Sequence, residues 1–170
     1  MQVDVEHEPK RVLSIDNALL SLHSHMVIAD EDGREVYSCS SHVGLIGPAW
    51  TIKRHGVGVA GMHRALGLTT RWHVDGELGN FDVRRHLMSL THTLDVDGGP
   101  FNGASLHGNV LDRTFYLTWQ GERLAQAHAG LLSVKDHHRI ELYSDDGAVE
   151  MMVVIGLVGV HAEHLRERNA

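Results

Sequence analysis

The sequence predicts an all-β fold with one central helix: a closed twelve-stranded β-barrel enclosing a hydrophobic C-terminal α-helix. Three observations carry this expectation. Hairpin-like units recur at roughly 22 residues along the 170-residue chain. No segment before the C-terminal stretch has apolar periodicity of helix length. Residues 151–160 are ten consecutive positions without a charge or a strongly hydrogen-bonding side chain.

The repeat is marked by short apolar steps. Leu20-Ser21-Leu22, Leu66-Gly67-Leu68, Met88-Ser89-Leu90 and Leu132-Ser133-Val134 start at spacings near multiples of 22, and Leu45-Ile46 and Val110-Leu111 fill the gaps. After each step comes a strand-like run: 26–30, 50–55, 71–75, 93–97, 114–119 and 138–143. A glycine follows each run (Gly33, Gly56, Gly76, Gly98, Gly121, Gly147) and suits a tight hairpin. Return runs are expected at 35–41, 58–63, 81–85, 105–110 and 123–129, and 11–16 stands in front, which makes twelve strands.

The last unit turns into a helix, expected over 148–168 within a single domain spanning 1–170. Asp145 or Asp146 caps it, Glu150 suits the positive end of its dipole, and His164, Arg166 and Arg168 suit the negative end. Its first half is apolar on every side, which means burial all round. Ten apolar residues rise only about 15 Å as a helix, half a bilayer's hydrocarbon core, so no transmembrane segment is expected. A twelve-stranded barrel is too wide for its own side chains to fill, and the helix is the natural filling. A four-bladed propeller is the runner-up architecture, but it offers that helix no home.

Composition narrows the function. Hydrophobic residues are 42% and charged residues 22%, as in a globular domain. A formal net charge of −7 argues against nucleic acid as a partner. The single Cys39 excludes an internal disulfide and points to a reducing, cytoplasmic location. The polar first residues offer no signal-peptide core.

Candidate chemistry is sparse. Gly56-Val57-Gly58-Val59-Ala60-Gly61 fits G-x-G-x-x-G, but that motif needs a following helix. The plainer expectation is a glycine turn and then a strand packed tightly on the helix. The 15 histidines invite a metal, with His23-x-His25 and the i, i+3 pair His161 and His164 as the tightest spacings. Neither completes the three or four ligands of a zinc site, so no metal and no cofactor are expected. No G-x-S-x-G elbow occurs, and Cys39 falls mid-strand as a small buried thiol. No catalytic residue is assigned. Two basic steps remain: Lys53-Arg54-His55 and Arg84-Arg85-His86. Neighbouring strand residues face opposite ways, so each step offers one outward cation. An anionic head group could be held if these converge with Arg64 or Arg71.

Residues 108–164 carry a resemblance. Gly108-Asn109-Val110-Leu111-Asp112 leads into Phe115-Tyr116-Leu117, then Gly121-Glu122-Arg123-Leu124-Ala125, then Leu131-Leu132-Ser133-Val134-Lys135-Asp136 and the apolar helix. With the early Leu19-Leu20-Ser21-Leu22 and Met26-Val27-Ile28-Ala29-Asp30-Glu31-Asp32-Gly33, this order resembles the tubby C-terminal-like superfamily. It is most similar to the LURP-one-related branch of plant and bacterial proteins. The resemblance implies the same barrel around a hydrophobic helix. It also implies kinship with phosphoinositide-binding tubby domains and with phospholipid scramblases. With only three lysines (Lys10, Lys53, Lys135), this chain departs from many such relatives.

The expected function is therefore a non-catalytic binding or scaffold module, with anionic phospholipid head groups as the ligand class and Lys53, Arg54, Arg84 and Arg85 as the candidate binding residues. The alternatives are a metal-dependent hydrolase using clustered histidines and a purely protein-interaction domain with a protein partner.

Overall fold

A computed structural model describes residues 8–16, 25–67, 70–85, 94–109, 114–129 and 137–168. Twelve strands follow in order: β1 Arg11–Asp16, β2 His25–Ala29, β3 Glu35–Gly44, β4 Gly47–Arg54, β5 Val57–Arg64, β6 Arg71–Gly76, β7 Phe81–Arg85, β8 Leu94–Asp97, β9 Ser105–Asn109, β10 Thr114–Trp119, β11 Glu122–Ala129 and β12 His137–Leu142. Each pairs antiparallel with the next, and β1 pairs with β12, so the sheet is a closed barrel with no edge strand. The propeller alternative is thereby overturned.

The hairpins form where glycine permits left-handed backbone. His55 and Gly56 have φ of 48° and 80°, and Gln120 and Gly121 have 51° and 80°. Two positive φ values in a two-residue loop match the right-handed twist of the strands they join, and they fix the registers Arg54↔Val57 and Trp119↔Glu122.

The helix α1, Gly147–Arg168, runs through the lumen. Asp146 caps it: its Oδ1 accepts from the Ala148 amide at 2.9 Å. Met151 to Gly159 are all buried, and they join one core with inward residues from every strand (Leu13, Met26, Cys39, Ile52, Met62, Val74, Val83, Leu94, Leu106, Leu117, Ala127 and Ile140 among them). Alternation along the strands produces this wall, as in β2, where Met26 and Ile28 are buried between more exposed neighbours. Gly156 and Gly159 of α1 face the wall at close range. A Cβ at Gly156 would lie 3.2 Å from Leu106 Cδ2, and one at Gly159 would lie 3.1 Å from Leu94 Cδ1.

The antiparallel meander gives the barrel two ends. At the entry end α1 begins, beside the start of β1 and the β4–β5, β6–β7 and β10–β11 hairpins. At the exit end α1 finishes, beside the β3–β4 turn and the β5–β6 connection. Among the described residues no helix is long and apolar enough to cross a membrane.

Cys39 is fully buried in the wall, and burial pushes its thiol from an ordinary 9.0 up to about 12. Its folded pKa is raised, so the stabilisation is complete below about pH 9 and is lost as pH rises toward 12. Over that window this one proton should tilt stability downward by up to about 1.4 kcal/mol per pH unit. Urea titrations across the range should show Cys39→Ala losing that part of the slope. An unchanged slope would contradict the assignment.

Candidate functional site

At the entry end a recess of about 460 Å³ is lined by Lys10, Arg11, Tyr37, Arg54, Asp145 and Glu150, among others. Its cations are already matched. Arg11 Nε lies 2.7 Å from Glu150 Oε2, and Lys10 Nζ lies 3.4 Å from Asp145 Oδ2. Arg54 Nη2 donates to both Glu77 carboxylate oxygens at 2.8 and 3.1 Å. The Tyr37 hydroxyl donates to Glu150 Oε1 at 2.8 Å, and burial together with that carboxylate holds its ionisation well above the usual tyrosine range. Glu77, and then Tyr37, raise the pKa of Arg54 further. This network ties the first turn of α1 to β1 and β3. An incoming anion would have to break ion pairs to use it.

The predicted residues fall at opposite ends. Lys53 and Arg54 lie beside the β4–β5 hairpin at the entry end, while Arg84 and Arg85 lie on β7 near the exit end. They do not form one site. The expectation of one outward cation per step holds in geometry. Lys53 is exposed while Arg54 turns to Glu77, and Arg84 is exposed while Arg85 turns toward Glu163 at 4.0 Å. On the wall, Arg84 stands opposite Arg71. Arg71 is committed to Asp82 at 2.7 Å and faces Asp97 at 3.8 Å.

The exit end has a different character. Glu163 of α1 is buried, accepts from Trp72 Nε1 at 2.9 Å, and has Arg166 Nε at 3.2 Å. Among the described residues, the connections at this end expose aliphatic side chains. The β3–β4 arm ends in a two-residue turn, Leu45-Ile46, flanked by Gly44 and Gly47. Leu45 is 107% exposed, and Val43 and Ile46 beside it are also exposed. Leu66, on the β5–β6 connection, is 83% exposed. Hairpin tips ordinarily carry Asn, Asp or Gly, so Leu-Ile there serves neither the turn nor the core. Arg64, at the end of β5, and Arg84 have no carboxylate partner among the described residues. In the sequence, Leu45-Ile46 stands only as a member of the repeat. The signal that could have found it was an aliphatic pair at a turn bounded by Gly44, Gly47 and Pro48.

Other candidates resolve plainly. Gly56 is a hairpin residue and Val57–Arg64 is a strand, so no helix follows the G-x-G-x-x-G and the phosphate cradle is absent. Gly58 and Gly61 do not pack on α1: Gly58 has open space, and a Cβ at Gly61 would meet Asp75 Oδ1. The strand packs on the helix through its other residues: Met62 is buried in the core, with its Cε 3.9 Å from where a Cβ at Gly159 would lie. Among the described residues no three His, Cys, Asp or Glu side chains are grouped to hold a metal. His25 is exposed, and its neighbour His23 lies outside the described residues. His161 is buried edge-on to Trp50, with ring centroids 5.6 Å apart, and the side chain of His164 is outside what is described.

The architecture defines a class: closed twelve-stranded antiparallel barrels with a helix through the lumen. The chain is similar to the X-ray structure of a protein from Arabidopsis thaliana, with a TM-score of 0.59 over 96% of this chain and 97% of that one, at 15% identity. At that identity the likeness establishes the fold alone. No protein-family model matches the sequence, and no curated protein does.

Proposed function

We infer that this protein is a non-catalytic module of the LURP-one-related kind, cytoplasmic, which docks reversibly on anionic phospholipid surfaces through the exit end of its barrel. One observation carries the reading: the exposed Leu45-Ile46 and Leu66 stand at the same end as Arg64 and Arg84, which lack carboxylate partners among the described residues. Aliphatic side chains that reach the acyl boundary beside cations that meet lipid phosphates are the two components of interfacial binding. Of the four residues first singled out, Arg84 belongs to this face and Arg85 lies at its rim. Lys53 and Arg54 do not.

Magnitudes rank the parts. Each cation near an anionic surface contributes about 1 kcal/mol. Burying a leucine or isoleucine fully contributes about 1.5–3 kcal/mol. The apolar tips therefore outweigh the arginines, and binding is expected to be weak, with a shallow salt dependence.

Co-sedimentation with phosphatidylcholine vesicles, with and without phosphatidylserine or phosphoinositides, tests this. The wild-type protein should pellet with anionic vesicles at low salt. Leu45→Asp with Ile46→Asp should abolish pelleting, Arg84→Glu should weaken it, and Lys53→Glu should leave it unchanged. If the wild-type protein does not pellet with any vesicle, the membrane reading fails and a protein partner for the same apolar tips takes its place.

A further inference from the structure

On the outer wall His63 of β5 and His73 of β6 are directly opposite in the antiparallel register, with ring centroids 5.1 Å apart. Both rings are partly exposed. His73 Nδ1 lies 2.9 Å from Asp82 Oδ1 on β7. An ionised carboxylate only accepts, so Nδ1 carries the proton, and in the neutral ring Nε2 has its lone pair free for a metal. Burial works against the charge on Asp82, but the bonds from His73 and Arg71 outweigh it and hold the carboxyl below its usual range, so Asp82 stays ionised. A carboxylate behind a histidine that presents its other nitrogen is the outer-shell arrangement of protein metal ligands. The spacing agrees as well. Two imidazoles on one tetrahedral ion, with metal–nitrogen bonds of about 2.1 Å, have centroids about 5 Å apart.

We propose that His63 and His73 form a two-nitrogen surface chelate for a late first-row divalent metal ion, with Asp82 orienting His73 and water completing the coordination. The chelate spans two strands and exists only in the folded wall, so the metal stabilises the folded protein. Imidazole donors favour zinc, nickel and copper over magnesium and calcium. This site is independent of the exit-end apolar face.

The test is thermal unfolding of tag-free protein with added Zn²⁺ or Ni²⁺, and with Mg²⁺ as the control. At a hundredfold excess over the Kd, mass action should raise the Tm by roughly 5–10 °C. His63→Ala and His73→Ala should each abolish the rise, measured against each variant's own metal-free melt. His63→Gln and His73→Gln replace them if alanine impairs folding. Asp82→Asn should weaken metal affinity about 10–100-fold. His107→Ala, whose ring stacks on Tyr116 elsewhere on the wall, should leave the rise intact. No rise in the wild-type protein, or a rise that survives loss of His63 and His73, would overturn the proposal and leave adventitious binding only.

Discussion

Replacing Ile155 by aspartate should leave no folded protein. Ile155 is fully buried at the middle of α1, inside a closed wall with no path for a carboxylate to reach water. Truncating the aliphatic chain costs about 2–5 kcal/mol, and the unpaired buried charge costs several more. Against a total stability of about 5–15 kcal/mol, that sum reaches the whole margin. Ile155→Val at the same site should cost only about 0.5–1.5 kcal/mol and keep a cooperative urea transition. Circular dichroism and urea unfolding of the pair check this. A stable, cooperative Ile155→Asp variant would mean that the helix can leave the lumen without dissolving the barrel.

The second large effect is at Glu163. Its carboxylate is buried between Trp72 Nε1 and the guanidinium of Arg166, with Arg85 farther off. Glu163→Leu removes the acceptor, strands the buried Trp72 N–H and takes the carboxylate from Arg166. Arg166 is 37% exposed and recovers some hydration, which discounts the loss to about 2–4 kcal/mol. Glu163→Gln keeps an acceptor for Trp72 and loses only the charge, so it should cost less. Urea denaturation of the two variants gives the order, and an equal cost would show that the charge, not the Trp72 bond, holds this end of α1.

How much of this was legible in the sequence follows from which forces act locally. The strands at 11–16, 81–85 and 114–119 were readable to the residue, and the helix start was off by one, because alternation, turn glycines and the Asp146 cap are local signals. The β3–β4 arm is longer than its sequence predicts. Strands were expected at 35–41 and 50–55, and the structure has Glu35–Gly44 and Gly47–Arg54. Glycine and proline ordinarily weaken strands, yet with Gly44, Gly47 and Pro48 in it the arm persists through cross-strand pairing. That extension carries Leu45 and Ile46 into solvent, so the strongest feature of the exit end was hidden by a boundary error. The pairings of Trp72 with Glu163 and Tyr37 with Glu150 join residues 91 and 113 positions apart, and no local pattern encodes them. His63 and His73 are an intermediate case. They are equidistant from the β5–β6 connection, and their meeting becomes visible once the hairpin register is known.

The exit-end reading has a direct test, because the only native cysteine is buried. In a Cys39→Ala background, Leu45→Cys supplies one reactive thiol at the tip of the arm and Lys53→Cys supplies one at the other end of the barrel. Each is labelled with an environment-sensitive fluorophore and mixed with phosphatidylserine-containing vesicles. The account predicts a blue-shifted, brighter emission at position 45 and none at 53. Vesicle binding with an unchanged signal at 45, or with the shift at 53 instead, would contradict it.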